Sequence, residues 1–153
     1  MISGCISLTG TQTYDANGIS FNYPADWTVN QTGDTLTGFT LVANVENSTK
    51  GKFAFFKVSK RNITSNITLQ DNYNSILNSL KQNSSNKNIK DENFTVNGIK
   101  ANLIEFNSIS NSTSKNEYTL FEKNRTIYLT QYTESPYNAY DEGFSILNTL
   151  HIK

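Results

Sequence analysis

Between residues 19 and 23 apolar and polar side chains alternate strictly, with Ile19, Phe21 and Tyr23 on one face and Ser20 and Asn22 on the other. A period of two marks a half-buried strand. The Asn17-Gly18 pair before it suits a type I′ hairpin turn, where both positions need positive φ. Pro24 cannot donate to a ladder and ends the strand. Ala25-Asp26-Trp27 is predicted to make one short helical turn. Trp27, the only tryptophan, is predicted to plug the core together with Phe21 and Tyr23.

Further strands follow. Residues 28–30 read as a short strand and 33–38 as a loop. Phe39, Leu41, Ala43 and Val45 alternate again, with Val42 on the opposite face. A turn is expected at 47–51. Residues 53–58 are dense in apolar side chains, with Phe53 and Phe55 on one face and Ala54, Phe56 and Val58 on the other. Such a strand belongs inside a sheet covered on both sides. The period then changes. Thr68 stands three residues before Asp71, a capping-box variant, and Leu69, Tyr73, Ile76, Leu77 and Leu80 follow at helical spacing. This predicts a helix over 68–82 and a polar loop over 83–87.

Strands resume at 88–96, Asn97-Gly98 turns the chain, and 99–106 follows with a bulge needed to reconcile its apolar positions. Residues 108–115 read as a loop, and 117–122 pairs with 126–132 around Lys123-Asn124-Arg125. Ser135-Pro136 resembles an N-cap and a first helical position. Tyr137, Tyr140, Phe144, Leu147 and Leu150 then space as a helix face. Residues 151–153 form a short closing strand or a frayed end. Hairpin turns favour antiparallel pairing, and two amphipathic helices beside doubly apolar strands favour three layers. The expected fold class is therefore α+β, with a central, mostly antiparallel twisted sheet flanked by helices.

Composition narrows the function. Lys and Arg total 13 and balance 13 Asp and Glu, so nothing favours nucleic acid. The polar residues are mostly uncharged, with 22 Asn, 18 Thr and 16 Ser. The single cysteine excludes an internal disulfide. Ile2-Ser3-Gly4-Cys5 resembles the end of a lipoprotein signal peptide, where Cys5 becomes the lipid-bearing N-terminus. Residues 1–12 then serve as a polar tether and 13–153 as one domain. The native chain is expected to begin with a signal peptide that these residues do not include. The glycosylation triplet Asn-x-Ser/Thr begins at Asn30, Asn47, Asn62, Asn66, Asn83, Asn93, Asn111 and Asn124. Chance in so polar a chain gives roughly five, so eight is a mild excess that agrees with an extracytoplasmic location.

The chain resembles a PsbP-like domain, the fold shared by the photosystem II extrinsic subunit, a Ran-binding nuclear import factor, and bacterial and archaeal lipoproteins. The resemblance rests on Asn17-Gly-Ile-Ser-Phe-Asn-Tyr-Pro-Ala-Asp-Trp27, the helix over 69–80, the Asn97-Gly98 turn, Phe121-Glu-Lys-Asn-Arg-Thr-Ile-Tyr128 and Phe144-Ser-Ile-Leu-Asn-Thr-Leu-His-Ile-Lys153. The nearest kind is the small lipid-anchored archaeal surface protein. The resemblance implies an α/β/α sandwich and a binding, assembly or accessory role rather than an enzyme. It does not carry over the plant subunit's retention of calcium and chloride, which depends on a photosystem partner and an N-terminal segment unmatched here.

Catalytic constellations are not evident. His151 is the only histidine and lies at the end, so no base stands beside a nucleophile. No His/Cys cluster has zinc spacing, and neither a metal nor a cofactor is expected. Asp91-Glu92 and Asp141-Glu142, with Glu134 near the second pair, are sequence neighbours that do not face one another and chelate poorly. Tyr128, Tyr132, Tyr137 and Tyr140 are the best residual binding surface, with Tyr132 and Tyr137 lining a groove for glycan or peptide. The alternative, packing of the last helix, explains Tyr140 equally. The functional expectation is a monomeric, non-catalytic domain lipid-anchored on the outer face of the cell membrane. It would contact a protein or an envelope polymer. Two other readings stand beside it: a small-ligand carrier or enzyme with a loop-assembled site, and a purely structural envelope component.

Overall fold

In a computed structural model that describes residues 10–110 and 112–153, the chain opens with the hairpin written in its sequence. Strands β1 (Thr11–Ala16) and β2 (Ile19–Pro24) pair antiparallel, Tyr14 opposite Phe21. Asn17 and Gly18 take φ of 55° and 79°, the left-handed pair a type I′ turn requires. The polar segment expected to run to residue 12 is therefore sheet from Thr11. On the other side of β2 lies β10 (His151–Ile152), which completes a three-stranded sheet in the order β1-β2-β10. The chain end is a strand and not frayed.

The second sheet is larger. It comprises β3 (Thr28–Val29), β4 (Thr40–Thr49), β5 (Lys52–Asn62), β6 (Asn86–Val96), β7 (Ile99–Ile109), β8 (Thr113–Lys123) and β9 (Thr126–Ser135). Their order is β3-β4-β5-β9-β8-β7-β6, antiparallel throughout. The helices are α1 (Leu69–Gln82) and α2 (Gly143–Leu147). The fold is a sheet-dominated α+β architecture. Thr68 caps α1 as its sequence indicates, its hydroxyl accepting the Asp71 N–H at 3.1 Å.

Both faces of the large sheet are covered. One packs on the small sheet and α2, around Phe21, Trp27, Val45, Phe56, Phe121 and Ile146. The other packs on α1 and residues 36–39, around Phe39, Ile76, Ile104, Leu120 and Leu129. Leu103 and Ile104 on β7 are both fully buried because they point to different covered faces. β7 pairs with β8 without a register shift; the irregularity lies in β6 at Lys87–Lys90, and in β4 at Leu41–Ala43. The bulge expected in the 99–106 strand is thus displaced to its neighbour. Coverage is incomplete above β5, where Phe53 is 43% exposed. The dense apolar strand is buried through Ala54, Phe56 and Val58 alone at that end.

Three hairpins are longer than their polar residues suggest. Lys50-Gly51 replaces the expected five-residue turn, β6 begins at Asn86, and β7 runs to Ile109. Ser48, Thr49 and Thr113 are here exposed strand residues, while Asn86 and Ser108 are half-buried and bonded to each other at 2.6 Å. The largest departure is the last helix. Ser135 is the final residue of β9, followed by a cis peptide to Pro136. Asn138 and Asp141 sit at φ of 61° and 56°, values no right-handed helix admits. Only Gly143–Leu147 is helical.

Candidate binding site

The site grows from the β8–β9 hairpin. Asn124 and Arg125 both take positive φ, 52° and 58°, which sets a two-residue turn and hence every pair behind it. Lys115 comes opposite Glu134, Asn116 opposite Thr133, and Glu117 opposite Tyr132. On β7, Glu105 faces Glu117 and Asn107 faces Lys115. Alternation places Glu105, Lys115, Glu117, Tyr132 and Glu134 on one face. A polar island thus interrupts an otherwise apolar layer.

Residues 136–142 roof this island. Glu134 has no exposed surface, and its Oε2 accepts the backbone N–H of Tyr140 at 2.6 Å and of Asp141 at 2.9 Å. Its other oxygen is buried without a hydrogen-bond partner among the described residues. The Tyr132 hydroxyl accepts the Glu142 N–H at 3.1 Å. Burial, and then the nearby Glu134 and Glu117 charges, raise that phenol well above its usual range, against the Glu142 hydrogen bond. Lys115 ties the roof to the floor, with Nζ 3.3 Å from Glu117 Oε1 and 2.9 Å from Asp141 Oδ1. Burial alone would lower the Lys115 ammonium; its hydrogen bonds and charges with Asp141 and Glu117 raise it instead.

Glu117 is 3% exposed. Burial pushes its carboxyl up to about 6 from 4.5; Lys115 pulls it down, and Glu105 and Glu134 push it up. The unfolded chain releases this proton near 4.5 and the folded chain near 6. Between those values the native state holds more protons, so stability falls as pH rises. The contribution is fully present below pH 4.5 and gone above pH 6, a loss of about 2 kcal/mol. Urea midpoints across pH 4–7 are expected to show this decline in the wild type and a flatter profile in Glu117→Gln. Equal slopes in the two proteins would refute the assignment.

Beside the roof a cleft of about 230 Å³ opens to solvent. Lys90, Glu105, Asn107, Lys115, Asn116 and Tyr137 line it, with Asn88 and Phe106. Tyr137 is 49% exposed, and the Lys115 Nζ stands 6.0 Å from its ring centre. The amides are fixed by their own bonds: Asn116 accepts the Thr133 hydroxyl at 2.7 Å, and Asn107 accepts from Asn88 at 3.1 Å. The cleft thus joins an exposed aromatic plate, two ammonium groups, one carboxylate and oriented amides. That set suits hydroxyl-rich or amide-rich chains.

The four tyrosines do not share one groove. Tyr132 is 2% exposed and belongs to the core. Tyr128 stacks on Phe121 with ring centres 5.5 Å apart. Tyr140 meets Trp27 edge-on at 5.8 Å, and its hydroxyl donates to Asn47 Oδ1 at 3.1 Å. Only Tyr137 lines the cleft. Phe21 and Trp27 are buried core residues, as is Tyr23. Sequence reasoning missed Lys115 and Glu117 and noted Glu134 only as a carboxylate near Asp141-Glu142; the β8–β9 register was the signal that could have placed them. Of the glycosylation triplets, Asn62, Asn66, Asn83, Asn93 and Asn124 are exposed, while Asn30 and Asn47 are half-buried. Asn30 donates to Glu46, and Asn47 holds Tyr140 and Asp26. Cys5 and Asn111 lie outside the described residues. His151 is exposed, its Nδ1 2.9 Å from Asn97 Nδ2. Among the described residues, no cluster of three or more His, Cys, Asp or Glu is placed to hold a metal, and no helix is long and apolar enough to cross a membrane.

Residues 7–151 match the family model described as PsbP-like protein. No curated protein matches the chain significantly. Among solved structures, the cyanobacterial PsbP (CyanoP) from Synechocystis sp. PCC 6803 has a similar fold. Its TM-score is 0.62 at 13% identity, covering 100% of this chain and 98% of that one. A protein from Bacteroides thetaiotaomicron VPI-5482 matches with a TM-score of 0.57 at 15% identity, covering 95% of this chain and 49% of its own. At these identities the likeness is one of fold.

Proposed function

The chain belongs to the PsbP-like protein family, and on that premise we propose that it is a non-catalytic binding or accessory domain, tethered through lipid at Cys5 to the outer face of the cell membrane. The observation that carries the reading is the open cleft at Tyr137. There the exposed ring of Tyr137, in the segment that follows β9, meets hydrogen-bonded amides of β7 and β8. A hydroxyl-rich envelope polymer or a polar protein loop would stack on the ring and bond to the amides. The reading as non-catalytic is supported by where the near-neutral carboxylate lies. Glu117 is capped by Gly143 and paired with Lys115, out of reach of a substrate. The tether is supported by the residues before Cys5 and by the polar run after it.

Cross-linking on intact membranes, followed by affinity recovery, tests both parts. The wild type is expected to bring down one stoichiometric protein or an envelope polymer. Tyr137→Ala removes an exposed ring, so its unfolding midpoint should stay within about 0.5 kcal/mol of wild type while recovery of the partner is lost. Cys5→Ser in the full-length protein should move the domain from the membrane to the soluble fraction. Undiminished capture by Tyr137→Ala would place the interface elsewhere, and a membrane-bound Cys5→Ser protein would end the tether reading.

A further inference from the structure

On the opposite face of the large sheet lies a second cleft of about 230 Å³, between α1, residues 36–39 and strands β5 and β8. Its apolar wall is Leu36, Phe39, Ile76 and Leu80. Phe39 and Ile76 are 8% exposed, so the wall is continuous with the core beneath it. One charge stands in this wall, the guanidinium of Arg61, and no carboxylate lines the cleft.

Arg61 is held in place. Its Nη1 donates to Asn72 Oδ1 at 3.1 Å. Asn72 is a buried amide on α1 whose Nδ2 in turn donates to the Thr68 carbonyl at 2.7 Å. Gly38 backs the guanidinium at φ +87°, and a Cβ there would lie 2.7 Å from Arg61 Cζ. The position therefore needs glycine both for its backbone and for the space Arg61 fills. A guanidinium carries five N–H donors. One is committed, and among the described residues no carboxylate lies within ion-pair distance of it. Asp71 borders an adjoining depression and takes the Thr68 hydroxyl at 2.6 Å.

A fixed, half-buried cation with free donors beside an apolar wall is complementary to an anion with an apolar tail. The planar fork matches a carboxylate by paired hydrogen bonds. The volume falls below the range of about 300–1,000 Å³ typical of drug-sized ligands, which points to a small molecule. We infer that this cleft binds a small amphiphilic carboxylate, its head on Arg61 and its hydrocarbon tail against Phe39 and Ile76. The site is separate from the Tyr137 cleft and stands without the function proposed for it.

Amide chemical shifts of the isotopically labelled protein, titrated with butanoate, hexanoate, octanoate, 1-octanol and inorganic phosphate, test the inference. Octanoate should give saturable shifts on α1 and residues 36–39, tightening with chain length. Arg61→Gln should weaken it roughly tenfold to a hundredfold, with Arg61→Lys, which keeps charge but not the fork, in between. Ser79 is exposed and lines the cleft, so Ser79→Phe should fill it and abolish binding while the protein stays folded. Tyr137→Ala should bind octanoate as wild type does, which separates failure here from failure of the other site. Equal shifts with phosphate, equal affinity for 1-octanol, unchanged binding by Arg61→Gln, or no saturable shift with any carboxylate would overturn it.

Discussion

Glu134→Ala is expected to destabilise the domain by about 3–5 kcal/mol, the loss of two backbone hydrogen bonds to a buried carboxylate. Glu134 has no exposed surface, and one of its oxygens takes two backbone N–H groups from residues 140 and 141. Each bond to a charged acceptor contributes roughly 1.5–3 kcal/mol. Alanine removes both bonds at once, and the roof residues lose what keeps them in a left-handed, non-helical path. Glu134→Gln keeps one oxygen where the two amides converge, so it should cost less, about 1–2 kcal/mol, as neutral bonds replace charged ones. Denaturant midpoints at pH 7 give both numbers. Amide exchange supplies the structural half: in the alanine variant Tyr140 and Asp141 should exchange faster while β5 and β7 stay protected. A Glu134→Ala protein as stable as wild type would mean that the roof is held by its other ties, Lys115–Asp141, Tyr132–Glu142 and Tyr140–Asn47, without Glu134.

The elements that the sequence made legible are those whose local chemistry decides alone. Asn17-Gly18 and Asn97-Gly98 become turns because their φ preferences fix them, whereas Arg125 at Asn124-Arg125 takes its positive φ against its own preference, between two paired strands. Thr68 starts α1 because its hydroxyl meets an orphan N–H three residues on. The closing helix was illegible for the converse reason. Its apolar spacing is real, and Phe144, Leu147 and Leu150 do pack into the core. The stretch before them, however, is bent by a carboxylate on a strand that periodicity treats as merely polar. Glu134 and Glu117 carry no apolar signal, so a pattern of burial cannot place them. Counting outward from the Asn124-Arg125 turn pairs Lys115 with Glu134 and Glu117 with Tyr132, and that step locates the island. The same blindness hid Arg61, whose position depends on Gly38 and Asn72, distant in sequence. The tyrosines show the reverse error: four rings close in sequence look like one group, yet Tyr128 and Tyr132, on the same face of β9, pack on the core, while the bend at 136–142 sends Tyr137 to the cleft and Tyr140 to Trp27.

Gly143→Ala carries the second large effect, about 3 kcal/mol, at the upper end of what overpacking a core costs. Gly143 is buried where α2 begins, and its α-carbon presses on the island. A Cβ there would lie 2.2 Å from Glu117 Oε2, 2.7 Å from Tyr132 Cδ1 and 2.9 Å from Tyr132 Cγ. The position needs no positive φ, so intrinsic propensity would favour alanine by about 1 kcal/mol in a helix interior; a net loss must come from the clash. The Glu117 carboxylate is a chain end, but Lys115 and Glu105 surround it. The Tyr132 ring is 2% exposed between β5 and the roof. Neither neighbour can withdraw without breaking the Lys115 pair or the Tyr132–Glu142 bond. Thermal melts should show the loss directly. In the Glu117→Ala background, where one of the two obstructing groups is gone, the cost of Gly143→Ala should shrink by about 1 kcal/mol, within the coupling expected of residues in contact. Strict additivity of the two substitutions would mean that Tyr132 alone resists the methyl group.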